Sequence, residues 1–325
     1  MNKKMLYRCG LEKLGDASSL LTVAGALLIL IVFFAIGTPY FLSGKNFLNI
    51  GLYAAIVGCI SCSVTFINIS GMIDLSVGSQ IAVVGMVAAI VSRMGTPWYL
   101  VCLVALAAGV LCGFINGFFI TVFKLNAFIT TIATMQTLRG FAFLLSDGQS
   151  LPISDGAFKF IGRGYLLGIP VSLLIMVASY LIFHVISKYT VFGRNVYLIG
   201  GNAQASYLAG IKVNRMRMNL YLLNGFMAGV AGILLAAQTG SGMPNAAATY
   251  NMTALSAVIL GGVALTGGKG TIFGTFLGCM VLSVLQNGMT MMSVGTYWQD
   301  IIIGFVLIFS VSVDAVKGGS LKRKL

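Results

Sequence analysis

The stretch INISGMIDLSVGSQIAVVGM, residues 67–86, sets one carboxylate, Asp74, inside a long apolar tract. The whole chain has only seven acids in 325 residues. An acid in such a place can hold a proton or sodium ion, gate a polar pathway, or cap a helix. Gly71 suits the left-handed conformation that ends one helix, and Asp74 suits the start of the next. An ion-coupled secondary transporter using Asp74 is one reading. A helix break at 71–74, with Asp74 as cap or gate, is the other.

The remaining reactive groups carry less. Of the cysteines, 9, 59, 62, 102, 112 and 279, five lie in apolar runs. Cys59-x-x-Cys62 has redox spacing, but no second pair or flanking His accompanies it, so these thiols read as small packing residues. The lone histidine, His184, has no triad or zinc partners at suitable spacing and reads as an interfacial polar residue. LTGGKGTIFG (265–274) imitates a phosphate loop, yet Val263 stands where the first Gly is needed and Gly270 follows Lys269. No catalytic residue, metal site or ATP site is expected in this chain.

Hydrophobic residues make up 58% of the chain and charged residues 8%, far below the charge a water-solvated surface carries. The chain belongs in a lipid bilayer. Its net charge of +13 reflects basic residues scattered between apolar segments, which is membrane topology and not a nucleic-acid surface. The basic, then apolar, N-terminus is too long in its apolar part for a signal peptide and reads as a first span.

Cutting at charges, Gly/Pro/Asn clusters and polar runs predicts an all-α polytopic protein of about ten transmembrane helices. They fall near 19–37, 47–69, 73–92, 98–119, 125–145, 167–187, 218–239, 252–267, 271–291 and 297–315. With both termini cytoplasmic, the inside segments hold Lys3, Lys4, Arg8, Lys13, Lys124, Lys188, Arg194, Lys212, Arg215, Arg217, Lys269, Lys317, Lys322, Arg323 and Lys324. The outside holds only Lys45, Arg93, Lys159 and Arg163, and Arg139 falls within a span. That asymmetry supports an even number of spans. Residues 1–325 form one domain, with a membrane region at 19–315, an outer loop at 146–166 and an inside loop at 188–217.

Paired glycines in GVLCG (109–113), GFING (113–117), GFMAG (225–229) and GTFLG (274–278) predict close helix crossings. Apart from Asp300 and Asp314 near the ends of the last span, the polar groups within spans are mostly neutral: Asn116, Gln136, Asn224, Gln238, Gln286 and Asn287. Amides suit either interhelical hydrogen bonds or a passage for a neutral, hydroxyl-rich solute. Asp74, Asn68, Asn116 and Asn287 are the candidate pathway or gate residues.

Within the inside loop, Asn202, Ala203, Gln204, Ala205, Ser206, Tyr207, Leu208, Ala209, Gly210 and Ile211 predict a two-turn helix. Asn202 is its N-cap, and Gly210 takes the C′ position. Such a helix either docks a cytosolic partner or anchors its loop at the membrane surface.

GMIDLSVGS (71–79), GRNVYLIGGNAQASYLAGIKV (193–213) and AVILGGVALTGGKGTIFGTFLGCMVLSVLQNGM (257–289) together resemble the permeases of sugar ABC importers of the ribose, xylose, arabinose and galactose type. The similarity extends over nearly the whole chain. It implies a type II ABC-importer-like fold in the bacterial inner membrane. It also implies a second permease subunit, a cytosolic ATPase with two nucleotide-binding halves, and a periplasmic sugar-binding protein. The helix at 202–211 would then couple to the ATPase, which uses ATP and Mg; this chain itself binds no cofactor. Two differences stand out. Asn251, Met252 and Thr253 replace an acid common before the AVxLGG segment, and Gln204 and Ser206 stand where relatives often carry acids.

Overall fold

A helix that is apolar all round has no face suited to water and belongs at the centre of its fold. The computed structural model describes residues 3–317. Its helices run α1 (Lys3–Gly37), α2 (Gly44–Ile69), α3 (Val77–Arg93), α4 (Trp98–Thr121), α5 (Ala127–Leu144), α6 (Gly156–Arg163) and α7 (Val171–Tyr189). They continue through α8 (Val191–Gly201), α9 (Ala203–Leu208), α10 (Val213–Thr239), α11 (Tyr250–Leu260), α12 (Ile272–Met291) and α13 (Thr296–Lys317). Lys322, Arg323 and Lys324 lie outside the described residues, as do the side chains of Lys3, Lys4, Arg8, Cys9, Lys13, Asp314 and Lys317.

Helix α2 takes the central place, with every residue from Ala54 to Ile69 buried. Helices α10, α12, α11 and α7 pack around it, and α10 in turn binds α4 and α3. Helix α1 lies at the periphery and turns Leu28, Ile29, Phe33 and Ile36 outward, the arrangement lipid favours. The glycine pairs meet as expected. Gly109 and Gly113 of α4 face Gly225 and Gly229 of α10, while Gly274 and Gly278 of α12 lie on the backbone of Gly261 and Ala257. Removing Cβ at these crossings brings main chains into contact.

Each of the ten expected segments contains a helix. Six, from Leu20–Gly37 of α1 and in α2, α4, α7, α10 and α12, are long and apolar enough to cross a membrane. Helices α3 and α11 are shorter than expected. Residues 72–76 stay non-helical around Asp74, so α3 begins at Val77. Helix α11 stops at Leu260 because Gly262 adopts φ +82° and Val263 N–H bonds back to the Val258 carbonyl. Helix α5 is less apolar, carrying Thr130, Thr131, Thr134, Gln136, Thr137 and Arg139.

The segment 146–166 is an ordered strap and not an open loop. Its strand β1 (Leu151–Pro152) pairs antiparallel with Ser241–Gly242 after α10, and Asp155 caps α6 by accepting from Ala157 N and Phe158 N. Phe158 and Ile153 are buried against α3 and α10, and Arg163 Nε donates to the Gln238 carbonyl at 2.5 Å. Strand Tyr165–Leu166 then turns back on Ile169–Pro170 before α7, which moves the start of α7 to Val171.

Candidate functional site

The break after α2 forms as the sequence predicts. Gly71 has φ +74°, its N–H bonds to the Asn68 carbonyl, and Met72 N–H reaches back to Ile67. The start of α3 is a correction. Ser76, and not Asp74, occupies the N-cap position. Asp74 acts two residues earlier, where Oδ1 accepts from Ser76 N (2.8 Å) and Ser76 Oγ (2.6 Å). An Asx turn of this kind fixes the backbone before the helix begins.

The other carboxylate oxygen joins distant helices. Oδ2 accepts from Asn224 Nδ2 of α10 (2.8 Å), Gln80 Nε2 of α3 (3.2 Å) and Asn116 Nδ2 of α4 (3.5 Å). Asn116 and Gln80 also donate to Ser76 Oγ, and Asn224 Oδ1 accepts from Ser63 Oγ of α2 at 2.7 Å. Tyr221 Oη donates to the Ile73 carbonyl at 3.0 Å. All donors to Asp74 are neutral, and the cluster is buried, with Asp74 4% exposed and Asn116 not at all. A carboxylate already holding this many donors serves as a structural acceptor joining α3, α4 and α10, with α2 tied in through Ser63 and Asn224. Ser76, Gln80 and Asn224 therefore belong to the site beside the expected Asp74 and Asn116.

Asn68 and Asn287 do not join this cluster. Asn68 Nδ2 donates to the Val64 carbonyl of its own helix, and both residues keep a buried Oδ1 with no partner among the described residues. His184 and Asp300 are exposed on α7 and α13. Cys59, Cys62, Cys102, Cys112 and Cys279 are free thiols. No group of three or more His, Cys, Asp or Glu side chains among the described residues could hold a metal ion.

Next to the Asp74 turn, three connections meet at the basic end of the bundle. Gly200 at the end of α8 lies directly on the Ile69 carbonyl, which also accepts from Gly268 N at 2.8 Å. Gly267 lies on Gly71, and Gly268 on Gly201. Tyr197 of α8 donates to the Gly270 carbonyl at 3.0 Å. A cavity of about 450 Å³ opens beside this junction, lined by Gly71, Ile73, Lys124, Asn126, Asn214 and Arg217 among others.

Immediately beyond Gly201 comes the expected loop helix. Asn202 Oδ1 accepts from Ala205 N (2.9 Å), Gly210 adopts φ +87°, and Ile211 N–H closes on the Ser206 carbonyl. Ser206 is buried, whereas Tyr207 is 66% and Leu208 77% exposed. Helix α8 before it was not expected. Thr190 caps it by accepting from Gly193 N, a signal present in the sequence but masked by the glycines at 193, 200 and 201.

Residues 46–311 match the family model described as branched-chain amino acid transport system / permease component. The chain is 36% identical to the ribose import permease protein RbsC of Haemophilus influenzae, covering 90% of this chain and 92% of that protein. It is 37% identical to RbsC of Bacillus subtilis, covering 90% and 91%. It is also 37% identical to the L-arabinose transport system permease protein AraH of Escherichia coli, covering 90% of each.

Proposed function

We propose, from the premise that this chain belongs to the permease-component family of branched-chain amino acid transport systems, that it is the membrane permease of an ATP-driven importer of a monosaccharide. The similarity to ribose and arabinose permeases over nine-tenths of the chain points to a pentose or a related small polyol. The ion-coupled reading of Asp74 has no comparable support, because its oxygens are occupied by neutral donors from α3, α4 and α10.

In this reading ten helices cross the bacterial inner membrane with both ends cytoplasmic, and two permease chains enclose the pathway. A periplasmic sugar-binding protein docks on the strap and the 240–250 connection. A cytosolic ATPase with two nucleotide-binding halves supplies ATP and Mg chemistry and docks on α8–α9. Asp74 and Asn116 form the fixed frame of an inner gate. Asn68 and Asn287 are the groups that gate opening would expose.

The observation that carries the proposal is the placement of α9. It presents Tyr207 and Leu208 outward, and it begins three residues after Gly200, whose backbone lies on the Ile69 carbonyl at the end of α2. Motion of a partner bound there is delivered to the pathway helices without a flexible spacer. Leu208→Asp should leave the permease in the membrane at normal amount while reducing ATPase co-purification at least tenfold, about 1.4 kcal/mol. Unchanged recovery of the ATPase would remove α9 from the coupling surface.

A further inference from the structure

We propose that the cavity between α3, α5 and α11 is a transit subsite where Gln136 and Arg139 hydrogen-bond the hydroxyls of the carried sugar. The inference rests on the import reading above. It begins with α5, which buries only Thr130, Thr131 and Ala142 and leaves Gln136 and Thr137 exposed. The Thr137 hydroxyl is satisfied by the Ala133 carbonyl of its own helix, but the Gln136 amide has no hydrogen-bond partner among the described residues. An unpartnered amide halfway along a membrane helix is unfavourable against lipid and favourable against a wet pathway.

The cavity beside Gln136 has a volume of about 190 Å³ and is walled by Leu75, Ser79, Met135, Arg139 and Asn251. That is room for about six waters at roughly 30 Å³ each, which suits a single small ring better than a longer chain. Arg139 Nη1 donates to the Pro244 and Ala246 carbonyls at 2.8 and 2.7 Å. These bonds fix the guanidinium at the wall and leave Nε and Nη2 without an acceptor among the described residues. Behind it, Ser79 Oγ and Asn251 Oδ1 are buried and without a partner among the described residues. A fixed donor fork beside an amide that both donates and accepts matches vicinal hydroxyls, which also do both. The lining contains no acid, and its charged group is the Arg139 guanidinium, which disfavours a cation there. Asn251 Nδ2 donates to the Leu75 carbonyl at 3.1 Å, which ties the cavity wall to the residue after Asp74.

The test uses the full importer, permease with ATPase and binding protein, in proteoliposomes supplied with radiolabelled ribose, arabinose, xylose and galactose. Gln136→Ala should lower sugar moved per ATP hydrolysed about three- to tenfold, the loss of one or two net hydrogen bonds, while ATPase stimulation by the binding protein persists. Gln136→Glu, which keeps the acceptors, should restore part of it. In parallel, Gln136→Cys should react with a membrane-impermeant thiosulfonate in one nucleotide state and be slowed in the other, above the wild-type background. Gln136→Ala with unchanged transport per ATP would overturn the subsite. A Cys at 136 unlabelled in every state, as burial against a second copy would produce, would overturn it equally. If wild type moves none of the four sugars, the import reading fails. The cysteine labelling then still decides whether the cavity belongs to a wet pathway.

Discussion

Gly200→Ala is expected to destabilise the permease and to abolish coupled transport, whereas Gly201→Ala one residue away should do neither. A Cβ at Gly200 would overlap the Ile69 carbonyl and press on Gly268 N, both rigid main-chain atoms, while a Cβ at Gly201 meets nothing within 4 Å. Overpacking of this kind costs about 1–3 kcal/mol when neighbours can yield, and backbone yields poorly. Any relaxation must push α8 away from the end of α2 and so change how α9 is presented. Two readings follow from one pair of variants: the thermal midpoint of the detergent-purified protein, and binding-protein-stimulated ATPase activity in the assembled complex. Equal behaviour of the two variants would contradict a tight junction at Gly200.

Asp74→Ala is expected to lose most of the folded, extractable permease, and Asp74→Asn to lose less. The alanine removes an acceptor used by Ser76 N, Ser76 Oγ, Gln80, Asn116 and Asn224, all inside a buried cluster. Each donor stranded without water costs about 1–3 kcal/mol. Asparagine preserves the Oδ1 contacts to Ser76 but sets an N–H₂ against the Asn224 amide. Its carbonyl side is already held by the Ser63 hydroxyl, so it cannot turn without cost. Fluorescence-detected size exclusion after extraction measures this ranking, and an Asp74→Ala protein as monodisperse as wild type would refute the frame role. A carrier that used Asp74 as an ion site would show the opposite pattern, with Asp74→Ala stable but sodium- or proton-independent.

Local signals in the chain are strong and were readable. The apolar runs give the helices, the glycine pairs at 109/113 and 225/229 give the α4–α10 crossing, and Gly71 and Gly210 give left-handed helix ends. Asn202 as a cap is equally local. What could not be read depends on tertiary contact. Asp74 finds Asn116 and Asn224 at separations of 42 and 150 residues, which no spacing rule anticipates. Its donors pull the turn into place, so α3 starts three residues after it and Ser76 takes the N-cap. Helix α8 was hidden because Gly200 and Gly201 look like a loop, and only the Ile69 carbonyl lying against Gly200 explains why a glycine stands at 200. The strap at 146–166 owes its order to pairing with 241–242 and to burial of Phe158, both again non-local. Arg139, which falls within an expected span, is held there by two carbonyl acceptors on the α10–α11 connection, again a non-local contact.

Reconstituted uptake tests the central claim most directly. Permease, ATPase and binding protein are placed in vesicles with ribose or arabinose outside, and proton and sodium gradients are collapsed with ionophores. Uptake that continues under these conditions, requires hydrolysable ATP and stops when either partner is omitted is the predicted result. Sugar accumulation by the permease alone, driven by an imposed ion gradient, would contradict it.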